Sequence, residues 1–365
     1  MSAILTSSPY LDGHIRADHP LSPRTALASL DPLVKQILGY SPQSLWDIET
    51  GRLPRRLQAY RHKARAYAQT HLAPVSLEVD ALPHPAAGQL SPQLLALVQE
   101  AGRQGWLTDI VPGPLGSCGL LDALHPMALH TALKVEEFSR ACGGLMLLLS
   151  AHLLGMAPIL LSGQLPLMWR TLVPAARANL RGDPHLFAFA ITEPGAGSDA
   201  EDGHGAASNQ PGLRARRARD GWLLNGQKVF ISGGDVAKQL TVFAALEGEG
   251  FESWTCFLVD RGTPGFDVIR TELKMGMRAS SAAQLSFQDV WVSDACVVGG
   301  LRQGWALNRA TLNLSRLPVA SMGVGLAQAA VDVAVVHTCT TRLGGKPLID
   351  FQDVQLTLAQ MMAET

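Results

Sequence analysis

At 365 residues, with 47% hydrophobic and 17% charged residues, the chain is long enough for two or three domains with real cores. Thirty lysines and arginines against 31 aspartates and glutamates leave a formal net charge of −1, which excludes a global field for nucleic acid or an anionic membrane. Cys118, Cys142, Cys256, Cys296 and Cys339 show no metal-ligand or redox spacing and read as reduced and mostly buried, so no metal site is expected. The opening MSAILTSSPYLDGHIRADHP lacks the apolar core of a secretory or transit segment, and a cytoplasmic home is the expectation.

Residues 1–51 mix short apolar pieces with Ser, Pro and Asp and read as an extension without chemistry. From 52 to 183 the pattern is helical: LQAYRHKARAYAQTHLAPV, LSPQLLALVQEAGRQGW and ALHTALKVEEFSRACGG repeat apolar residues at three- and four-residue spacing. Ser91 ahead of Pro92 has the form of an N-cap with proline at the first helical position. The run CGGLMLLLSAHLLGMAPILL, 142–161, is uncharged over about the length that spans a bilayer. It holds His152, Gly155 and Pro158 and lacks a basic flank or aromatic belt, so a helix buried in a bundle is expected rather than a span.

Between 184 and 300 the texture becomes short, aromatic and β-branched (HLFAFAIT, GWLLNGQKVFIS, QLTVFAALEG, WTCFLVDR, FDVIRTEL, AQLSFQDVWVS), with turn residues between the segments. Asn225-Gly226 is the strongest hairpin signal. The expectation is an antiparallel barrel or sandwich and not a doubly wound nucleotide fold. Helical periodicity returns over 301–365, with Leu326, Ala330, Val333 and His337 on one stripe and Phe351, Val354, Leu358 and Met361 on another, joined by the turn LGGKP. Two such helices cannot bury both stripes alone, which predicts a bundle truncated at Thr365 or a partner.

The turn TEPGAGSD offers a rigid Glu193-Pro194 corner, two glycines and the Ser198 hydroxyl, a backbone concavity suited to an anion or a flat heteroaromatic edge. It is no dinucleotide fingerprint, and GVGLAQ at 323–328 sits inside a helix with no strand before it. In NGQKVFISGG, Phe230 and Ser232 stand two apart on a strand, the spacing of one face, with a ring to stack and a hydroxyl to hydrogen-bond. The basic run RARRARD, 214–220, reads as a solvated strand edge before it reads as a phosphate site, and His152 as a core histidine.

In order along the chain, AFAITEPGAGSD, WLLNGQKVFISGG, GFDVIRTELKMGMRASSAAQLSFQDVWV, SRLPVASMGVGLAQAA and GGKPLIDFQDVQLTLAQMMAE resemble the acyl-CoA dehydrogenase family from about residue 55 onward. That resemblance implies an α+β protein: a helical N-terminal domain, an antiparallel β-barrel middle domain and a C-terminal helical bundle, incomplete here. It implies FAD held by Phe189, Ile191, Thr192, Gly197, Ser198, Phe230, Ile231 and Ser232, with Phe230 and Ser232 standing where the family commonly has Trp and Thr. Ser198, Asn313, Ser315 and Arg316 match positions that meet the acyl-CoA substrate. Arg342 and Gln352 match positions that reach a neighbour's FAD in a homodimer or homotetramer, although Thr341 stands at the family's arginine and Gly344-Gly345 replaces a Phe-Gly pair. The electron acceptor implied is an electron-transfer flavoprotein or similar protein.

The implied reaction is α,β-dehydrogenation of the thioester, with an α-proton taken by a carboxylate of raised pKa and a β-hydride passed to flavin N5. The family's usual glutamate is expected beyond Thr365, and the alternative position is Ser315, which is no carboxylate. Glu193 and Glu364 are poor substitutes, so no catalytic residue is named. Two alternatives remain open: a flavin-dependent monooxygenase or oxidase on the same fold, and a non-catalytic fragment or degenerate subunit.

Overall fold

A computed structural model describes residues 52–81, 88–109, 111–119, 127–198 and 212–365; the extension 1–51 lies outside the described residues. The N-terminal part is helical: α1 (Arg55–Tyr67), α2 (Ser76–Ala81), α3 (Pro92–Arg103), α4 (Met127–Ala141), α5 (Gly143–Leu161) and α6 (Leu165–Leu180). Ser91 caps α3 as its sequence predicts, accepting the Leu94 amide at 3.3 Å with Pro92 next in line. Buried charges lock α1 and the segment after α3 onto α4. Glu137 takes Arg61 at 2.7 Å and Arg65 at 2.9 Å, and Lys134 takes Asp109 at 2.6 Å.

The uncharged run is α5, and it is buried on nearly every side because the sheet covers the face that the helices leave open. Gly155 permits the contact: a Cβ there would stand 2.7 Å from the Ala188 amide nitrogen. The Thr241 hydroxyl donates to the Gly155 carbonyl at 3.0 Å and closes the joint. One apolar cluster, including Met156, Leu172, Phe187, Phe243 and Trp254, fills this helix–sheet interface, a second lies between strands of the sheet, and a third fills the helical part.

The strands are β1 (Phe187–Ala190), β2 (Arg214–Ala218), β3 (Gly221–Ser232), β4 (Gln239–Leu246), β5 (Thr255–Asp260), β6 (Phe266–Thr271), β7 (Ala282–Ser293) and β8 (Val297–Val298). Their order is β6-β7-β3-β2-β4-β5-β8, with β1 also on β4. Two expectations are corrected here. The sheet is open and not a closed barrel: β8 is two residues long, and the chain then turns into a helix whose Gly304 amide bonds the Trp254 carbonyl at 2.7 Å. It is also mixed, since β1 and β2 lie end to end along one edge of β4 and both run parallel to it.

Asn225-Gly226 is not a hairpin. It lies inside β3 at a register shift, where Gly226 adopts φ 137° and a Cβ would stand 2.6 Å from the Gly212 carbonyl. The hairpin turn is the two-residue loop Arg219-Asp220, with Asp220 at φ 56°. The basic run forms β2, an inner strand rather than an edge. Arg217 pairs with Asp294, and Arg214 donates to the Glu249 carbonyl.

α7 (Gly304–Thr340) packs along α4. Gly325 leaves room for the Glu136 carbonyl, and Asp332 pairs with Arg140 at 2.7 Å. GVGLAQ is therefore helix, as expected. The ribbon β9 (Arg342–Leu343) and β10 (Lys346–Pro347) turns on Gly344 and Gly345, at φ 60° and 85°, into α8 (Gln352–Glu364). Thr365 follows as the C-cap of α8, its amide and hydroxyl both donating to the Met361 carbonyl, at 3.1 and 2.8 Å. Of the predicted α7 stripe, Val333 is 56% and Leu326 38% exposed, whereas the predicted α8 stripe is the packed face of that helix, with Leu358 buried and Leu356 exposed on the opposite side.

Candidate functional site

The turn after β1 is built by a buried ion pair. The Glu193 and Ala196 backbones bond each other at 2.9 and 3.2 Å, closing a tight loop over Pro194 and Gly195. Lys228, fully buried on β3, donates to Glu193 Oε1 at 2.8 Å and to the Ile191 carbonyl at 2.7 Å. The same carboxylate accepts the Leu213 amide at 3.1 Å and the Gly212 amide. Burial pulls the Lys228 pKa below its ordinary value, and the charge of Glu193 opposes that pull. One carboxylate thus ties the turn, β3 and the entrance to β2 together, and the Val229 amide adds a bond to the Thr192 carbonyl at 2.9 Å.

On this frame the predicted residues divide. Thr192 is half-buried, and Gly197 and Ser198 lie exposed at the mouth of the turn. Phe189 is a core side chain whose ring centroid lies 5.2 Å from that of Phe243, so only its backbone can face a ligand. Ile191 packs at the edge of the same apolar cluster, as does Leu312 of α7, which brings the 312–316 segment toward the turn. There Asn313 and Arg316 are exposed, and Ser315 donates to the Leu312 carbonyl at 2.9 Å.

The simple two-residue alternation expected for Phe230 and Ser232 does not hold. The ladder with β7 slips between Lys228 and Ile231, and Phe230 adopts φ 58°. A phenylalanine in that region is strained, and such strain concentrates at functional positions. Its consequence is a ring 63% exposed at the end of β3, while Ile231 turns into the sheet core and Ser232 stays half-buried beside Ala282. Arg342 and Gln352 are not brought here: they lie past the far end of α7, whose 37 residues extend about 55 Å at about 1.5 Å per residue. Arg342 donates to the Gly345 carbonyl of its own ribbon, and Thr341 contacts His337. Thr365 is exposed and bonds the Met361 carbonyl of its own helix.

Sequence reasoning missed Lys228. Its partner is 35 residues away, and a lysine in NGQKVF reads as one more solvated strand residue. Nor does the uncharged run reveal which face of α5 is less buried: between Gly143 and Ile159 only Leu147, Ser150, Ala151 and Leu154 are less than fully buried, spaced three and four apart on one face. Leu147 and Ala151 share a cavity of about 10 Å³ with Ser232, Phe187 and His152. Among the described residues there is no cluster of metal-ligating side chains.

Comparison with known proteins accounts for all three parts. Residues 55–178, 188–290 and 302–365 match the N-terminal, middle and C-terminal domains of acyl-CoA dehydrogenase. The short-chain specific acyl-CoA dehydrogenase of Mus musculus mitochondria is 33% identical over 85% of this chain and 69% of its own length. The cyclohex-1-ene-1-carbonyl-CoA dehydrogenase of Geobacter metallireducens is 35% identical over 78% of this chain and 73% of its own. Butyryl-CoA dehydrogenase of Megasphaera elsdenii superposes with a TM-score of 0.73 at 30% identity, covering 86% of this chain and 76% of that one.

Proposed function

This chain belongs to the acyl-CoA dehydrogenase family, and from that premise we propose that its 192–198 turn and the end of β3 hold FAD for the α,β-dehydrogenation of an acyl-CoA thioester. One observation carries the reading: Glu193 and Lys228 rigidify a turn whose outer surface is left open. Gly195, exposed, has no atom within 4 Å of where a Cβ would stand, and the Phe230 ring is presented outward at a strained backbone position. Backbone amides in a fixed turn, a flat ring and one hydroxyl suit a heteroaromatic edge and a pyrophosphate. The family is flavin-dependent, and an acyl-CoA dehydrogenase of Bacillus anthracis, complexed with FAD, has a TM-score of 0.72 at 25% identity, covering 85% of this chain and 50% of that one.

Bound FAD supplies the hydride acceptor and passes the electrons on. The protein's share is alignment. Ser232 would meet the flavin edge, Phe230 would flank the ring, and the α5 stripe would offer one wall for the acyl group. Ser198, Asn313, Ser315 and Arg316 contact the thioester and its CoA. The names of the relatives favour a short or small-ring acyl group. A chain in the structure of the electron transferring flavoprotein of Acidaminococcus fermentans has a TM-score of 0.74, which favours an acceptor of that type. Arg342 and Gln352, far from the turn of their own chain, would serve the site of a second copy.

The acids around the turn are committed elsewhere: Glu193 to Lys228, and Asp235 to Ser281 and the Gly88 amide. Ser315 donates to its own helix, and Glu364 is exposed near the end of α8. The α-proton is therefore not assigned to any of these groups. Mixing the FAD-loaded chain anaerobically with butyryl-CoA tests the reading. The expected result is a perturbed flavin band that does not bleach until dithionite is added. Bleaching by the thioester would show that one of these groups acts as base, and an unperturbed band would remove the acyl-CoA site.

A further inference from the structure

His152 stands out among the buried polar groups. It is 2% exposed on α5, and neither ring nitrogen makes an aligned hydrogen bond; the Leu107 backbone comes close enough to favour a ring proton without closing one. Burial, and then the charge of Lys134, push its pKa down to about 3, so the ring is neutral and has one donor and one acceptor. An unmet buried donor or acceptor is costly, and such groups are normally met by protein or by an ordered water. The cavity that His152 lines is about 10 Å³, the least that admits one water, and its other polar walls include Ser232 and Ser280. Two or more polar partners around a one-water space are the conditions under which a buried water is retained.

We propose that His152 is a positioning residue for the flavin-edge hydroxyl: a single water in this cavity joins its ring to Ser232 and fixes the direction in which the Ser232 hydroxyl points. This rests on the reading of Ser232 as a flavin contact. The neutral ring suits the task, because it can give one hydrogen bond and take another without adding a buried charge beside the Ser232 hydroxyl. The other residues lining this cavity on α5, Leu147, Leu148 and Ala151, offer only apolar side chains, so His152 is the α5 side chain that can hold the water from that wall.

The test compares wild type, His152→Phe, His152→Asn, Ser232→Ala and the His152→Phe/Ser232→Ala double variant, reading FAD dissociation constant, flavin midpoint potential and apoprotein melting temperature. His152→Phe keeps a ring in the core but removes both nitrogens. It is expected to weaken FAD binding about fivefold, the worth of one hydrogen bond, and to shift the potential in the same direction as Ser232→Ala. His152→Asn is expected to recover most of both, and His152→Phe to add nothing in the Ser232→Ala background. If wild type binds FAD and His152→Phe binds it equally well, or if its effect persists undiminished without Ser232, the positioning role is overturned while the flavin site stands. A wild type that binds no FAD overturns both.

Discussion

Glu193→Gln tests the frame of the site directly. The substitution keeps the volume and one acceptor but leaves the ammonium of Lys228, fully buried, facing a neutral partner, with the Ile191 carbonyl at 2.7 Å as its other acceptor. Removing one member of a buried pair costs about 3–5 kcal/mol, because the other charge stays desolvated. At about 2–4 °C per kcal/mol for a domain of 150 to 250 residues, that is a fall in melting temperature on the order of 10 °C. Lys228→Met should cost a similar amount. The double variant Glu193→Gln/Lys228→Met should cost less than the sum by about 2 kcal/mol or more, since no unpaired charge is left. Urea unfolding of the four proteins, with FAD titrations of each, reads both quantities. Single variants within 0.5 kcal/mol of wild type, or costs that simply add in the double variant, would refute the claim that this pair builds the turn.

Other substitutions probe separate joints. Gly195→Ala should leave stability unchanged, since nothing lies within 4 Å of the added carbon, yet weaken FAD binding if a ligand approaches that backbone; equal affinity by fluorescence titration would place the ligand elsewhere. Gly155→Ala forces α5 away from β1 and should cost at least about 1–3 kcal/mol in the same unfolding assay. Glu136, whose pKa is pushed from 4.5 up to about 7 by burial first and the Glu137 charge second, binds its proton more tightly in the folded chain. Its contribution is therefore fully present below pH 4.5 and lost as pH rises toward 7, up to about 3 kcal/mol at roughly 1.36 kcal/mol per unit. Glu136→Gln should accordingly match wild type near pH 4 and exceed its stability at pH 8; the reverse order would contradict that sign.

Periodicity and turn chemistry made much of the architecture legible. The helices of 52–183, the Ser91 cap, the strand-rich middle and the paired C-terminal helices all follow from local patterns. What escaped depends on contacts distant in sequence. Asn225-Gly226 carries the local signature of a hairpin, but the backbone of Gly212 and Leu213 packs against Gly226 and makes it a bulge in a long strand. The parallel pairings of β1 and β2 with β4 have no local signature. The turn itself was readable as a backbone concavity, whereas its support was not, because Lys228 is a charged residue whose burial makes sense only once Glu193 is beside it. Phe230 was identified by position, but its outward ring depends on a register slip that alternation alone does not foresee.

Titration of the purified, flavin-free chain with FAD, followed by visible absorbance and flavin fluorescence, tests the central claim most directly. A saturable one-to-one complex with a shifted flavin band, weakened by Glu193→Gln, is the predicted result. A flavin spectrum that stays identical to that of free FAD at every protein concentration would contradict the assignment of this turn as the cofactor site.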